Sequence, residues 1–366
     1  MTTRWLRLLA ALFAFTLVAA ACGDDDDDTA SPDDDSGTTT NGDGASSEDR
    51  CSDVDLSQPP DEPVTIRFGH GAAAEEQVWL VAANPDITEH QGTWYELEPS
   101  QFRGNEERFV AYQAGELDAV TASAPTLVSA VASGIDVKAV VSVSREAEEG
   151  EFRTTFSALE DSGIESPEDL EGKRIGIVDI GSATEYWART AVSAAGLDAD
   201  SDVEYVVLPF PAQEEALRGG QIDVAVLVEP FYTMAQQRGG LVDVFDSITG
   251  PGFDQELIVF AFDNGFREEN PEVVCAWIED FQAATTWYNE NADEAKQILV
   301  DEGFVQTPIE VYLEAGDWFR DDNGSIDVDL LDQLIESMIE FGIFEESQRV
   351  PAEELVATEF TPSSEG

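Results

Sequence analysis

The residues best suited to bind a ligand are hydrogen-bond donors that lie just after predicted strands. Gly181-Ser182-Ala183-Thr184 follows a buried strand and begins a helix, so its unpaired N–H groups and the helix dipole favour an anion. Gly69-His70-Gly71 follows the first strand and offers backbone N–H groups of the same kind. Arg103 follows the second strand and has the paired donors that match a sulfonate or carboxylate. Together these residues predict a site for an oxyanion or another electron-rich group.

Each of these segments also has a structural interpretation. Ser182 is a good N-cap for the helix that follows, a role that is compatible with ligand binding. His70 either donates to a ligand or lies solvated in a turn, and Arg103 is either a ligand contact or an ordinary surface arginine. The loop from Gly69 also satisfies G-x-G-x-x-A, which is a weak fingerprint of dinucleotide binding.

Further candidates follow other predicted strands. Ser123 and Ser144 have hydroxyl groups that either donate to ligand oxygens or cap their own turns. Glu229 ends a strand just before Pro230, where a helix dipole favours an acid. Several aromatic residues near these loops either wall a pocket or belong to the core: Trp79, Tyr186, Trp187, Phe231 and Tyr232.

Catalytic motifs are scarce. The chain has two histidines and contains no G-x-S-x-G, H-E-x-x-H or Cys-x-x-Cys motif, so no catalytic triad or zinc site suggests itself. Carboxylates are abundant, but in a chain with 77 acidic residues their abundance indicates nothing. We therefore expect no catalytic residue, no metal ion and no cofactor, in a protein that is not an enzyme.

The first residues resemble an export signal. Arg4 and Arg7 precede an apolar run that is too short to cross a bilayer, and Ala19-Ala20-Ala21 is a small-residue cleavage site. Because Cys22 follows, the segment resembles the lipobox of bacterial lipoproteins, which implies that Cys22 is acylated. The alternative is an ordinary signal peptide with a cysteine there by chance. Residues 1–21 are predicted to be a signal peptide, and residues 22–60 a disordered acidic tether.

The formal net charge is −59, from 18 basic and 77 acidic residues. Such a surface repels nucleic acid and anionic lipid and keeps a protein soluble at high ionic strength. Because the acids are spread along the chain, we interpret them as an adaptation to salty water rather than as a ligand-binding face. Salt screens the overall charge over short distances, so that charge does not bar an anion from a cleft.

Beyond Pro63, short apolar strands alternate with helical stretches, which is typical of α/β architecture. Ala114-Gly115-Glu116-Leu117-Asp118 matches Gly219-Gly220-Gln221-Ile222-Asp223 in residue type, with a glycine suited to a left-handed helix cap. The repeat predicts two similar lobes. Strands are predicted at residues 64–68, 94–97, 118–121, 137–143, 173–178, 203–208 and 224–228, with an extended stretch at 152–159. Helices are predicted around Trp79 and at residues 106–114, 125–132, 184–195 and 213–218, and the chain beyond Pro271 is predicted to be mostly helical.

A longer motif carries a resemblance to a known family. Ser166-Pro167-Glu168-Asp169-Leu170-Glu171-Gly172-Lys173-Arg174-Ile175-Gly176-Ile177 resembles the middle of the nitrate/sulfonate/taurine-type (NitT/TauT) substrate-binding proteins of ABC importers. The resemblance extends from about residue 63 to residue 360. It implies the type II periplasmic-binding fold, an α/β fold of two lobes with two crossovers and a helical C-terminal region. Relatives carry an acid near Glu229 that meets an amino or hydroxyl group of the ligand.

The resemblance and the strand pattern together imply a domain organisation and a function. Lobe 1 takes residues 61–147 and 248–360, lobe 2 takes residues 148–247, and residues 361–366 form a tail. The implied function is that of an extracytoplasmic, lipid-anchored monomer that captures a small anionic or zwitterionic solute and delivers it to an ABC permease and ATPase. No nucleic acid is involved. Two alternatives stay open: a ligand-sensing lipoprotein with a membrane signalling partner, and an enzyme on the same fold, such as a pyrimidine-precursor synthase.

Two cysteines remain after Cys22. Outside the cytoplasm, Cys51 and Cys275 either form a disulfide or stay free, with Cys275 then buried in a helix. The sequence leaves both arrangements open.

Overall fold

The computed structural model describes residues 50–362 of the 366-residue chain. The predicted signal peptide, the lipidation of Cys22, residues 22–49 of the predicted tether and the last four residues lie outside this described range. None of the helices within it combines the length and apolarity that crossing a bilayer requires.

Strands and helices alternate through most of the described range. The strands are β1 (Val64–His70), β2 (Tyr95–Gln101), β3 (Ala119–Ser123), β4 (Val137–Glu146), β5 (Thr155–Leu159), β6 (Arg174–Ile177), β7 (Glu204–Val207), β8 (Ala225–Leu227), β9 (Leu241–Asp246) and β10 (Gln255–Asp263). The helices are α1 (Glu76–Ala83), α2 (Asn105–Gln113), α3 (Ala124–Ala132), α4 (Ala183–Ala194), α5 (Phe210–Arg218), α6 (Phe231–Arg238), α7 (Asn264–Glu269), α8 (Pro271–Glu290), α9 (Ala292–Asp301), α10 (Ile309–Tyr312), α11 (Val328–Glu340) and α12 (Ala352–Leu355).

Five strands form a mixed sheet in the order β2-β1-β3-β10-β4. β1 pairs in parallel with β2 and β3, whereas β10 is antiparallel to both of its neighbours. All residues of β3 are buried, as expected of a strand that is covered on both faces. Trp277 of α8 stacks on Phe260 of β10 with 4.0 Å between ring centroids, so this long helix packs against the large sheet.

The other strands form a second region. β8, β5 and β9 are antiparallel, β6 and β7 pair in parallel, and a bridge between Ile175 and Val224 joins the two sets. The chain leaves the large sheet after β4 and returns to it with β10. We call residues 147–154 the first crossover and residues 247–254 the second crossover. This is the two-lobed α/β arrangement with two crossovers that the resemblance implies, while the predicted bounds of the lobes stay a prediction.

Most predicted elements lie within a few residues of the observed ones, but five observed elements have no predicted counterpart. These are α6, β9, β10, α7 and α12, of which β10 lies inside the large sheet. It also ended β1 too early. Gly69 and His70 belong to the strand rather than to the loop that follows it.

The repeated motif closes a helix and opens a strand in both regions, as predicted, and its central glycine has a positive φ in each copy. The aspartate of each copy also holds an arginine of a neighbouring strand. Arg67 Nε donates to Asp118 at 2.8 Å, and Arg174 Nε donates to Asp223 at 3.0 Å. Because both the residues and their contacts recur, the structure supports an internal repeat.

Cys51 and Cys275 form a disulfide that ties the first described turn to α8. We expect the double variant Cys51→Ser/Cys275→Ser to lose roughly 2 to 4 kcal/mol of unfolding free energy, because a cross-link over a long loop restricts the unfolded chain. The two cysteines are 224 residues apart. Urea denaturation with and without reductant measures the loss. Reductant should destabilise the wild type and leave the double variant unchanged; equal midpoints for the oxidised wild type and the variant would contradict the expectation.

Candidate functional site

A cleft opens at the carboxyl ends of β1, β2 and β3, where open α/β sheets bind ligands. Its volume, including its mouth, is about 650 Å³. The wall combines loops of the large sheet with the start of α4 and parts of the second region. It is lined by residues 71–75, 103–105, 108, 123, 154, 178, 182–184, 187, 210, 228, 257, 258 and 318. We call this space the cleft.

The structure brings about half of the predicted site residues to the cleft. Those that line it are Gly71, Arg103, Ser123, Ser182, Ala183 and Thr184. Those that do not are Gly69, His70, Ser144, Gly181 and Glu229. The predicted loops therefore do converge across the two regions, but only part of each loop faces the cleft.

Arg108 of α2 lines the cleft, although the sequence reasoning did not select it. The side chain is buried, and its Nη1 donates to Thr121 Oγ1 at 2.6 Å and to the Thr121 carbonyl. Nη1 also lies 3.9 Å from the Glu75 carboxylate. Nε has no hydrogen-bond partner, and Nη2 donates to no residue in the described range. Arg108 thus has donor capacity that the protein itself does not use.

Two glycines make room for this arginine. A Cβ on Gly69 would lie 2.8 Å from Arg108 Cγ, and a Cβ on Gly71 would lie 2.9 Å from Arg108 Nη2. Either contact is too short for a real side chain to accept without movement. The G-x-G of this loop therefore serves the packing of Arg108, which explains the motif without a dinucleotide.

Arg103 lines the cleft as predicted and is exposed to solvent. Its backbone N–H lies 3.5 Å from Glu107 Oε2, and its guanidinium forms no ion pair with any carboxylate in the described range. This leaves a positive charge free to meet a ligand at this point of the wall.

Two backbone N–H groups that were expected to be free already have partners. Gly71 N donates to both oxygens of Glu75 at 3.0 Å, and Gly181 N donates to Glu185 Oε2 at 2.6 Å. Ser182 caps α4 as predicted, since its Oγ accepts from Glu185 N at 3.4 Å. The prediction that Gly71 and Gly181 offer unpaired N–H groups to an anion was wrong, because a carboxylate of the chain itself occupies each of them.

Charges in the cleft are set by burial and by one ion pair. The pKa of Glu75 is raised because the side chain is buried, although the positive charge of Arg108 partly offsets this effect. Burial likewise lowers the pKa of Arg108, which Glu75 opposes. With Arg103 included, two guanidinium groups and one carboxyl group line the wall. This small excess of basic groups lies within a chain whose formal charge is −59.

The predicted residues outside the cleft make internal contacts. His70 Nδ1 lies 2.9 Å from the Gly71 carbonyl and 3.1 Å from Trp79 Nε1. Ser144 Oγ donates to the Ala74 carbonyl at 3.0 Å. Glu229 accepts from Thr233 Oγ1 at 2.9 Å and from a backbone N–H of the segment after α10. These contacts hold the loops around the cleft.

His70 should make stability depend on pH. Burial lowers the pKa of His70 from 6.5 to about 4, helped by Arg108 and opposed by the Gly71 carbonyl. The folded state therefore binds fewer protons than the unfolded chain, so stability is lost as pH falls from about 6.5 towards 4. Between about pH 7.5 and pH 5 we expect the wild type to lose roughly 2 kcal/mol more than His70→Gln. Urea denaturation at both pH values tests this, and equal losses would contradict it.

Apolar side chains form most of the remaining wall: Val178, Trp187, Phe210, Val228, Leu257, Ile258 and Trp318. Trp187 had two interpretations from sequence, and it belongs to the wall. Among residues 50–362, no group of three or more His, Cys, Asp or Glu side chains is placed to hold a metal ion. Apolar walls with two arginines suit a molecule that has a hydrocarbon part and an anionic end.

Residues 57–300 match the family described as NMT1-like, and this match covers well over half of the chain. The chain belongs to the NMT1-like family. This NMT1-like protein is 23% identical over 237 residues to a Bacillus subtilis (strain 168) protein named "Putative aliphatic sulfonates-binding protein". The match covers 62% of the chain and 64% of the relative, so it spans less than two thirds of that relative's length.

Solved structures share the fold of the NMT1-like protein. The alkanesulfonate-binding protein SsuA from Xanthomonas axonopodis pv. citri, bound to MOPS, is similar with a TM-score of 0.65 at 16% identity, over 81% of this chain and 99% of the other. The periplasmic nitrate-binding protein NrtA from Synechocystis PCC 6803 is similar with a TM-score of 0.68 at 11% identity, over 83% and 88%. The fold is therefore the two-lobed type II periplasmic-binding fold, as the resemblance implied.

Proposed function

We propose that this NMT1-like protein is an extracytoplasmic solute-binding lipoprotein that captures an organic anion in the cleft and delivers it to an ABC importer. The observation that carries the proposal is Arg108, a buried guanidinium with unused donors in a mostly apolar cleft. A guanidinium matches the oxygens of a sulfonate or carboxylate, and the apolar wall stabilises a hydrocarbon part by burying it. Arg103 adds a second positive charge.

The named relatives support this ligand class. One is named for aliphatic sulfonates and one for alkanesulfonates, whereas a third is nitrate-binding. A bare inorganic anion would leave the tryptophan and aliphatic wall of this cleft without contacts. We therefore favour an organic anion over nitrate. The partners that such a role requires are a permease and an ATPase in the membrane, with the binding protein acting as a monomer and without nucleic acid.

Calorimetry on the mature protein tests the ligand class with four probes of similar size or charge: 1-butanesulfonate, taurine, nitrate and butylammonium. We expect 1-butanesulfonate to bind more tightly than nitrate, taurine to bind more weakly because its amine is charged, and butylammonium not to bind. At a hundredfold excess over Kd, binding should stabilise the fold by about 2.7 kcal/mol. Binding of butylammonium alone would exclude an anion site.

The two alternatives predict different cellular results. Loss of labelled-solute uptake in cells that lack the protein supports the importer role, whereas unchanged uptake with a lost transcriptional response supports a sensor. Conversion of the bound solute into a new compound, followed by mass spectrometry, would support an enzyme. No contact in the described residues favours either alternative over solute capture.

Cys22 should anchor the protein by a lipid. We expect Cys22→Ser to release the protein into the medium or to leave it unprocessed, because the lipobox resemblance places acylation at that thiol. Detergent partitioning of cell extracts measures this. Cys51→Ser removes a different cysteine and is the control, which should stay with the detergent phase. A Cys22→Ser protein that is processed yet still partitions with the membrane would contradict lipid anchoring through Cys22.

A further inference from the structure

Glu146, the last residue of β4, is a fully buried carboxylate without a cationic partner in the described range. It accepts hydrogen bonds from neutral donors instead. Thr154 Oγ1 donates at 2.5 Å, Thr154 N at 3.0 Å, Ser247 Oγ at 2.7 Å and Trp318 Nε1 at 3.2 Å. A carboxylate only accepts, and its two oxygens offer about four lone-pair sites, so these donors fill its capacity.

The donors come from three segments that are far apart in sequence. Thr154 ends the first crossover, Ser247 begins the second crossover, and Trp318 lies in the segment between α10 and α11. Thr154 and Trp318 also line the cleft. Glu146 therefore touches both connections between the two regions and part of the cleft wall at once.

Other contacts also join these segments. Ser247 N donates to the Thr154 carbonyl at 2.9 Å, which joins the two crossovers directly. Phe152 N donates to the Asp317 carbonyl at 3.0 Å, and the rings of Phe152 and Trp318 meet edge to face at 5.0 Å. The segment that carries Trp318 therefore contacts the first crossover through a backbone hydrogen bond and a ring contact, in addition to the hydrogen bond that Trp318 donates to Glu146.

We propose that Glu146 is a positioning residue that couples the cleft wall to both crossovers, so that filling the cleft and reorienting the two lobes occur together. A ligand shifts a conformational equilibrium only through contacts that differ between the two states. Trp318 faces the ligand space and is fixed by the carboxylate that also fixes both crossovers. The part of this inference that concerns ligands rests on the proposed solute-binding function, whereas the junction itself does not.

Hydrogen exchange of the full mature protein without any ligand tests the junction. Glu146→Gln keeps the shape but turns one acceptor oxygen into an amide that donates, so at least one of the neighbouring donors loses its partner. We expect exchange to speed up by about tenfold or more in peptides covering residues 147–155, 247–255 and 316–320 together.

Asp280 of α8 offers a matched control. It is equally buried, has no ion pair in the described range and accepts from neutral donors, including Tyr95 Oη at 2.6 Å and Gln91 N at 3.0 Å. Asp280→Asn should leave exchange in the three segments unchanged. If it speeds exchange there as much as Glu146→Gln does, or if Glu146→Gln affects one segment alone, the coupling is wrong.

A milder variant keeps the test decisive if Glu146→Gln fails to fold. Trp318→Phe removes the indole N–H and keeps an aromatic ring, and it must speed exchange in both crossovers for the coupling to stand. With 1-butanesulfonate as the probe, the wild type should gain protection in all three segments at once. A wild type that does not bind this probe counts against the proposed ligand class, while the ligand-free comparison still decides the role of Glu146.

Discussion

Arg108→Met is expected to weaken the binding of 1-butanesulfonate by roughly tenfold to a hundredfold. Hydrogen bonds to a charged group contribute about 1.5 to 3 kcal/mol, and each 1.4 kcal/mol corresponds to about tenfold in Kd. Methionine keeps an unbranched apolar stem, so the packing against Gly69 is retained while the guanidinium is lost. Calorimetry at fixed ionic strength measures the change in Kd.

A second variant separates binding from folding. Arg108→Met leaves the buried Glu75 without its cation, which is expected to destabilise the fold by roughly 3 to 5 kcal/mol. In Arg108→Met/Glu75→Gln no buried charge is left unpaired, and glutamine still accepts from Gly71 N. The double variant should regain stability but not affinity. If it binds 1-butanesulfonate as tightly as the wild type, the anion is bound elsewhere.

Arg108 was hidden from sequence reasoning for a physical reason. It sits in Asn105-Glu106-Glu107-Arg108, a run of polar residues that is typical of a solvent-facing helix start. Burial became favourable because Gly69 and Gly71, almost forty residues earlier, leave space for the side chain. The residue pattern around Arg108 gives no information about that packing against distant residues. The sequence instead pointed to Arg103, which does line the cleft but lies at its exposed part.

β10 was missed although it had a readable signal. Its residues Leu257 to Phe262 form an apolar run rich in β-branched and aromatic side chains, which indicates a buried strand. The strand begins with Gln255 and Glu256, both buried, and such polar residues suggest a loop when only sequence is available. It also joins the sheet antiparallel, outside the alternating pattern that guided the other assignments.

A second similarity between the two regions lies outside the repeated motif, in the segments that follow β1 and β6. Gly71 precedes Glu75 by four residues, and Gly181 precedes Glu185 by four residues. In both segments the glutamate accepts a hydrogen bond from the glycine N–H. The spacing was available in the sequence, but its meaning depends on a loop geometry that brings a carboxylate back over its own helix start.

Arg320→Met should be among the most destabilising single substitutions in the described chain. The side chain is buried, and it donates to Glu76 Oε2 at 2.5 Å, to Asp317 Oδ1 at 3.1 Å and to Gln77 Oε1 at 3.0 Å. Burial raises the pKa of Asp317, but Arg320 and then Lys296 hold it below its ordinary value, so Asp317 stays charged in the fold. Removing Arg320 leaves the buried Glu76 carboxylate without the cation that it pairs with, which is expected to lower the unfolding free energy by roughly 3 to 5 kcal/mol.

Arg349→Met is the matched control, because Arg349 also pairs with two carboxylates, Glu336 and Glu346, but on the surface. Water and salt already screen that pair, so its loss should leave the urea midpoint nearly unchanged. The comparison tests the effect of burial on the ion pairs, since the residue type and the number of carboxylate partners are the same at both sites. A large shift for Arg349→Met, or none for Arg320→Met, would mean that desolvation does not set the strength of these pairs. Arg320 also donates to the Trp318 carbonyl at 3.1 Å. If Arg320→Met still folds, we therefore expect it to bind 1-butanesulfonate more weakly than the wild type does.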